Sequence, residues 1–188
     1  DIAKALEAAG GDEVTVLVNS PGGDLFSGAE IRSMLRRYNG RTEALIQGYA
    51  ASAATVAISA CDVIRCESGG LCCYHNPVST AEGDYRDMSG ASKSLKNARD
   101  TILDAYLARP VCKTTREELA ALMDKDIFIT PTQAKEYGLI DEIVTLEGVT
   151  EPEGDPAAFV AAAGRIRLTA AMREQYRRHV AEDREAAA

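Results

Sequence analysis

Val14-Thr-Val-Leu-Val18 runs directly into Asn19-Ser-Pro-Gly-Gly-Asp24, and the reading of this stretch decides the fold. The first five residues are β-branched or aliphatic, apolar on both faces, as a buried parallel strand requires. Asn, Ser, Pro and paired Gly then make a tight turn. Past it, Phe26, Ala29, Ile31, Met34 and Leu35 form the apolar side of a helix that stops near Asn39-Gly40. Strand, short link and helix in that order are the repeating unit of an α/β domain with a largely parallel sheet.

The same alternation extends in both directions. Residues 2–9 read as a helix closed by Gly10-Gly11. Downstream, 42–46 reads as a strand, and Gly48-Tyr-Ala-Ala-Ser-Ala-Ala54 opens a small-residue helix to about residue 60. Residues 62–66 and 71–74 are further short strands. A long helix covers 85–108, where Met88, Ala91, Leu95, Ala98, Ile102 and Tyr106 recur at spacings of three and four to give one apolar stripe. Thr115-Arg-Glu-Glu118 and Thr130-Pro-Thr-Gln133 are capping boxes, the second with Pro at the first helical position and Gly138 as the stop. After Val144 the texture changes. Glu147-Gly-Val-Thr-Glu-Pro-Glu-Gly-Asp-Pro156 reads as a linker, followed by an Ala- and Arg-rich segment of helical periodicity. The expected organisation is one domain over 1–146 and a tail over 147–188.

Composition narrows the function. The 188 residues carry a net charge of −8, which argues against nucleic acid as the main partner. No apolar run approaches the roughly 20 residues needed to span a bilayer, so no membrane is expected. The sequence shows neither an initiator Met nor a basic-then-apolar leader, and it opens inside a helix, so an N-terminal segment is expected to be missing. The five cysteines, Cys61, Cys66, Cys72, Cys73 and Cys112, are odd in number and form no CxxC pair. They read as small apolar residues of a reducing compartment, the cytosol by default, rather than as disulfides or zinc ligands.

Three places carry chemistry-bearing residues. Ser20-Pro-Gly-Gly23 sits between a strand and a helix, where glycines free an N–H to face a developing negative charge. In Ala50-Ala-Ser-Ala-Ala54, Ser52 stands at a helix start with the Ala53 N–H beside its hydroxyl. Of the two histidines, His179 lies among arginines of the tail, whereas His75 ends an apolar strand ahead of Asn76-Pro77. A serine nucleophile needs a base near its working pH, and His75 is the one well placed to serve. Asp124-Lys-Asp126, after a helix end, offers two carboxylates to orient the imidazole.

In order and approximate spacing, Asn19-Ser-Pro-Gly-Gly23, Gly48-Tyr-Ala-Ala-Ser-Ala-Ala54, His75-Asn-Pro77, Asp126-Ile-Phe128 and Ala134-Lys-Glu-Tyr-Gly-Leu-Ile-Asp141 resemble the Clp-type serine protease proteolytic subunits. The likeness is greatest to the Clp-like head-maturation proteases of tailed phages. It implies a crotonase-like ββα superhelix, with helix 85–108 as an oligomerising handle. Position by position it puts the nucleophile on Ser52, the base on His75 and the orienting acid on Asp126. The oxyanion hole falls on the backbone N–H groups of Gly23 and Ala53. It further implies a polypeptide substrate, capsid or scaffold protein of a prohead, a ring-type homo-oligomer, a cytoplasmic location and no cofactor or metal. Asp1 falls after the position of the family's opening strand and axial N-terminal segment, so docking to an ATPase unfoldase is not expected.

Two other readings share these residues. An acyl-CoA enzyme of the crotonase fold also uses two backbone N–H groups as an oxyanion hole, but a hydratase would want carboxylates at its catalytic positions rather than the set Ser52, His75 and Asp126. A non-catalytic scaffold protein that kept the fold would have no need of a complete nucleophile, base and acid.

Overall fold

A computed structural model describes residues 2–145; the expected tail over 147–188, with His179, lies outside the described residues. The elements follow in the order α1 (Ile2–Ala9), β1 (Val14–Ser20), α2 (Leu25–Arg37), β2 (Thr42–Ala51), α3 (Ala53–Ile58), β3 (Val63–Glu67), β4 (Leu71–Cys73), α4 (Tyr85–Leu107), α5 (Arg116–Lys125), β5 (Phe128–Ile129), α6 (Pro131–Glu136) and β6 (Glu142–Val144). The six strands form one sheet in which β2 is the hub. It pairs in parallel with β1 along one side; on the other, its first half pairs with β3 and its second half with β4. β6 extends β3 in parallel, and β5 closes against β4 as the one antiparallel pairing.

The largely parallel sheet therefore appears as read, and both capping boxes are present, with Thr115 and Thr130 accepting from the N–H of Glu118 and Gln133. Three readings change. The Gly48–Ala51 segment is strand rather than helix. Gly48 has φ +89°, a conformation open to glycine, and there β2 leaves β3 for β4. The alanines that follow are held by two neighbouring strands, with Ser20 opposite Ala50 and Ala51 opposite Cys73, so ladder pairing overrides their helix propensity. The small-residue helix starts only at Ala53.

On α2 the expected apolar side is buried only in part: Leu35 is buried and Ile31 packs against the core, but Ala29 is exposed and Phe26 is 81% exposed, and Gly28 is buried in addition. The helix is turned because α3 lies against Gly28, where a Cβ would stand 2.7 Å from the Ala53 carbonyl oxygen. On α4 the stripe divides. Ile102, Leu103, Ala105 and Tyr106 join the core with Ile46, Val56, Ile64 and Tyr74, whereas Tyr85 and Met88 are exposed. No helix of the described residues is long and apolar enough to cross a membrane.

The end of α4 is fastened to the sheet by charge. Arg109 is buried; it donates to the carbonyls of Ser59 and Cys61 and to the Asp141 carboxylate at 2.5 Å. Asp141 also accepts from the Ile64 N–H at 2.6 Å. One ion pair thus ties the exit of α3, the start of β3 and the approach to β6, and it gives Asp141 a structural role.

Candidate active site

Ser52 sits where β2 turns into α3, with φ 57° and ψ −131°. A non-glycine residue with positive φ is sterically costly, and such strain persists only where the surroundings over-determine it. They do so here. The Ser52 N–H donates to the Cys73 carbonyl at 3.0 Å, one step past the β2–β4 ladder. The Ser52 carbonyl accepts from the Thr55 N–H at 2.9 Å and from the Thr55 hydroxyl at 2.7 Å. Having donated there, the Thr55 oxygen receives the hydroxyl of Tyr106 at 2.7 Å. Tyr106 meets Tyr74 edge-to-face with ring centroids 5.2 Å apart, and burial pushes both phenols up, so they remain neutral donors. α4, β4 and α3 therefore converge on the Ser52 backbone, while its side chain makes no capping bond.

The 20–24 turn closes over this elbow. A Cβ on Gly22 would lie 2.5 Å from the Ala51 carbonyl oxygen, 2.7 Å from Ser52 Cβ and 2.8 Å from Ala53 N, so only glycine permits the approach. The Gly22 N–H turns back to the Ser20 hydroxyl at 3.1 Å, and Asp24 caps α2 by accepting from the Ser27 N–H at 2.8 Å. Between these fixed points, Gly23 has φ 151°. Among the described residues neither the Gly23 N–H nor the Ala53 N–H has a hydrogen-bond partner. Two uncommitted backbone donors therefore flank the half-buried Ser52.

The second group follows β4. His75 lies two residues past Cys73, the last residue of β4 and the partner of Ala51, which sets its loop near the Ser52 elbow. Its Nδ1 lies 2.6 Å from the Asn76 carbonyl oxygen. A carbonyl only accepts, so Nδ1 carries the proton and the Nε2 lone pair is left open. Asp126 precedes β5, whose Phe128 stands opposite Cys73 in the antiparallel ladder, so Asp126 and His75 each lie two residues from that pair. Asp126 ends α5 in the left-handed conformation, φ 50° and ψ 50°, and is exposed. Burial, with the Asp126 charge nearby, pushes the Cys73 thiol up to about 12. Asp124 is instead engaged elsewhere, with the Asn76 side chain and Arg99.

The ladders place the chain at Ser52 beside Cys73, two residues before His75, and Cys73 opposite Phe128, two residues after Asp126. No Ser52–His75 or His75–Asp126 hydrogen bond is formed. Cys61, Cys66, Cys72 and Cys73 are buried and all five cysteines are free thiols, with no cluster able to hold a metal among the described residues. Sequence reading passed over Thr55 and Tyr106 as site supports and Asn76 and Arg99 as partners of Asp124. Tyr106 was visible only as one more apolar-stripe residue, and no local pattern announces that its hydroxyl reaches Thr55.

The sequence profile of the Clp protease family matches residues 4–147. The chain is 26% identical over 134 residues to an ATP-dependent Clp protease proteolytic subunit of Deinococcus radiodurans, covering 70% of this chain and 65% of the relative. It is 30% identical over 139 residues to the corresponding subunit of Mesostigma viride, covering 68% and 56%. With the chloroplastic subunit 3 of Arabidopsis thaliana it shares 27% over 150 residues, covering 76% and 47%. This chain thus spans about half to two thirds of the length of these relatives. Among solved structures, a ClpP1 mutant of Listeria monocytogenes superposes with a TM-score of 0.68 at 21% identity, covering 78% of this chain and 84% of that one. That likeness fixes the fold as the crotonase-like one of Clp proteolytic subunits. With a profile match running from the first helix to the last strand, the chain belongs to the Clp protease family.

Proposed function

We propose that this protein is a serine endopeptidase that cleaves peptide bonds through an acyl-enzyme, with Ser52 as nucleophile, His75 as general base and Asp126 as the carboxylate that stabilises the imidazolium. The observation that carries the reading is the strained Ser52 backbone, held by three elements between two uncommitted N–H groups. A serine kept there for structure would relax to an ordinary helix cap and use its hydroxyl as one.

In the reaction, His75 Nε2 takes the Ser52 proton as Oγ adds to the substrate carbonyl carbon, and the Gly23 and Ala53 N–H groups receive the oxyanion. Collapse breaks the C–N bond, and the imidazolium gives its proton to the departing amine. Water then yields a proton to His75, adds to the ester, and releases the acid as Ser52 regains its hydrogen. Asp126, two residues before the Phe128 that pairs with Cys73, supplies negative charge while the imidazole is protonated. No step calls on a metal or an organic cofactor.

The substrate is a polypeptide, and the phage-type likeness of the motifs supports capsid or scaffold protein of a prohead. Self-assembly uses the outer half of α4, where Met88 is 40% exposed and Leu95 half-buried. Met88→Glu with Leu95→Glu should shrink the particle in sedimentation, and an unchanged mass would remove α4 from assembly. The reading as a whole is tested with a serine-directed phosphonate. The labelled peptide should contain Ser52, and a label elsewhere, or none on folded protein, would overturn it.

A further inference from the structure

Between the 76–81 loop and α4 lies a groove of about 490 Å³. At its base three elements meet on a single carboxylate oxygen. Asp124 Oδ1, at the end of α5, accepts from the Asn76 side-chain amide at 2.8 Å and from Arg99 Nη2 of α4 at 2.9 Å. Arg99 Nη2 also donates to the Ala120 carbonyl at 3.1 Å, which fixes the guanidinium against α5. The Asn76 hydrogen bond and the Arg99 charge hold the Asp124 carboxyl below its usual range, so it stays ionised wherever an imidazole titrates. Asn76 is also the residue whose carbonyl receives the His75 Nδ1 proton.

Among the described residues no backbone N–H donates to that carbonyl. From residue 76 to 83 no backbone–backbone hydrogen bond is formed among the described residues, and Pro77 has no N–H to offer. A ladder-free stretch of this kind swings at its attachment points unless side chains tie it down. Asn76 Oδ1 and Arg99 Nε are buried and have no protein partner among the described residues.

We infer that Arg99 and Asp124 are positioning residues for the base: they hold Asn76, whose carbonyl fixes His75 in the Nδ1–H tautomer and leaves the Nε2 lone pair for Ser52. This rests on the peptidase reading above. It gives Asp124, the first acidic residue of Asp124-Lys-Asp126, a separate task, acting on the imidazole through Asn76 while Asp126 supplies charge. The three residues work in series, so removing any one releases the same carbonyl.

The test uses the full chain and compares Asn76→Ala, Asp124→Ala, Arg99→Gln and Arg99→Lys. The rate of phosphonate labelling of Ser52 is followed against pH, and His75 is followed by imidazole nitrogen NMR in a His179→Gln background that leaves one histidine signal. Asn76→Ala, Asp124→Ala and Arg99→Gln should each slow labelling about 10- to 100-fold, the range lost with base alignment. The ascending limb of the profile should move to lower pH, because the imidazolium loses its carbonyl acceptor. Combining Asp124→Ala with Arg99→Gln should slow labelling no further than either alone. Arg99→Lys, which keeps the charge, should recover part of the rate. In the NMR spectra the parent should show the Nδ1–H tautomer and the three variants a mixture. Folded variants with the parent rate, pH profile and tautomer would overturn the inference. If the parent itself is not labelled, the peptidase reading fails, and the tautomer measurement still decides whether the bridge orients His75.

Discussion

Among the described residues two non-glycine residues have positive φ, Ser52 at 57° and Asp126 at 50°, and the molecule holds them in opposite ways. Ser52 has ψ −131°, outside the left-handed well, and is clamped by β4, α3 and, through Thr55, by Tyr106 of α4. Asp126 has ψ 50°, the left-handed helix cap that Asp adopts at little cost, and it stands in solvent. One position stores strain of about 1–3 kcal/mol against a packed support, and the other stores almost none. On the proposed peptidase reading, the nucleophile must be held to a fraction of an ångström, which fits a backbone that packing over-determines. A carboxylate acting through charge would tolerate a looser mount, since its field falls off gradually with distance.

Substitutions at the two residues are the sharpest way to break that contrast. Ser52→Ala removes an oxygen that makes no capping bond, so folding stability should change by less than about 0.5 kcal/mol. Turnover should fall by about four to six orders of magnitude, leaving what the oxyanion donors achieve alone. Ser52→Gly should lose as much activity yet gain about 1 kcal/mol in thermal or urea unfolding, because glycine relieves the φ. An active, normally folded Ser52→Ala protein would end the serine-peptidase assignment.

Asp126→Asn should keep the fold and lower acylation by about two to four orders of magnitude, as for loss of the acid beside a catalytic imidazole. Asp126→Gly should show a smaller stability gain than Ser52→Gly, since there is less strain to relieve. Equal gains at the two sites would erase the distinction between a strained and a relaxed mount. A smaller effect comes from the support beneath Ser52. Thr55→Val strips the hydroxyl shared by Tyr106 and the Ser52 carbonyl and leaves the buried Tyr106 hydroxyl unpaired, at a cost of about 1–3 kcal/mol. Activity of the folded fraction should fall several-fold, and a fall no larger than the loss of folded protein would show that Thr55 supports the core only.

Sequence disclosed these two regions unequally. The strand–turn–helix order, the capping boxes and the apolar half of α4 follow from local periodicity, so the sheet and most helix positions were legible. The Ala50–Ala54 run was not, because its propensity favours helix and only pairing with β1 and β4 holds the first two alanines extended. Phe26 misled for a related reason: spacing gave the helix, but the turn of its face depends on Gly28 meeting Ala53 across the fold. At the site, residue types pointed to Ser52 and His75, yet Asp124 and Asp126 were equivalent until family likeness chose between them. The Asn76 and Arg99 bonds to Asp124, long-range in sequence, are what set the two carboxylates apart.

The smallest expected effect concerns the turn that closes over Ser52. Asp24 accepts from the Ser27 N–H and from the Ser27 hydroxyl at 2.9 Å, and these bonds hold its carboxyl below the usual carboxylate value. A group whose folded pKa is depressed contributes stability that is present above its unfolded value, near 3.8, and is lost as pH falls through the folded one. The Asp24 cap should therefore make no pH-dependent difference at neutrality and should weaken the domain below about pH 4. Asn caps helices as well as Asp but does not titrate, so Asp24→Asn should leave melting at pH 7 nearly unchanged and flatten the fall in melting temperature between pH 5 and 3 by a minor amount. Turnover at pH 7 should also hold, because the Asn oxygen still fixes the start of α2 and with it the Gly23 N–H. A steep loss of turnover with melting unaffected would mean that the charge itself, and not the cap, sets the oxyanion donor. The turn would then belong with Asp126 among the parts that act by field rather than by clamping.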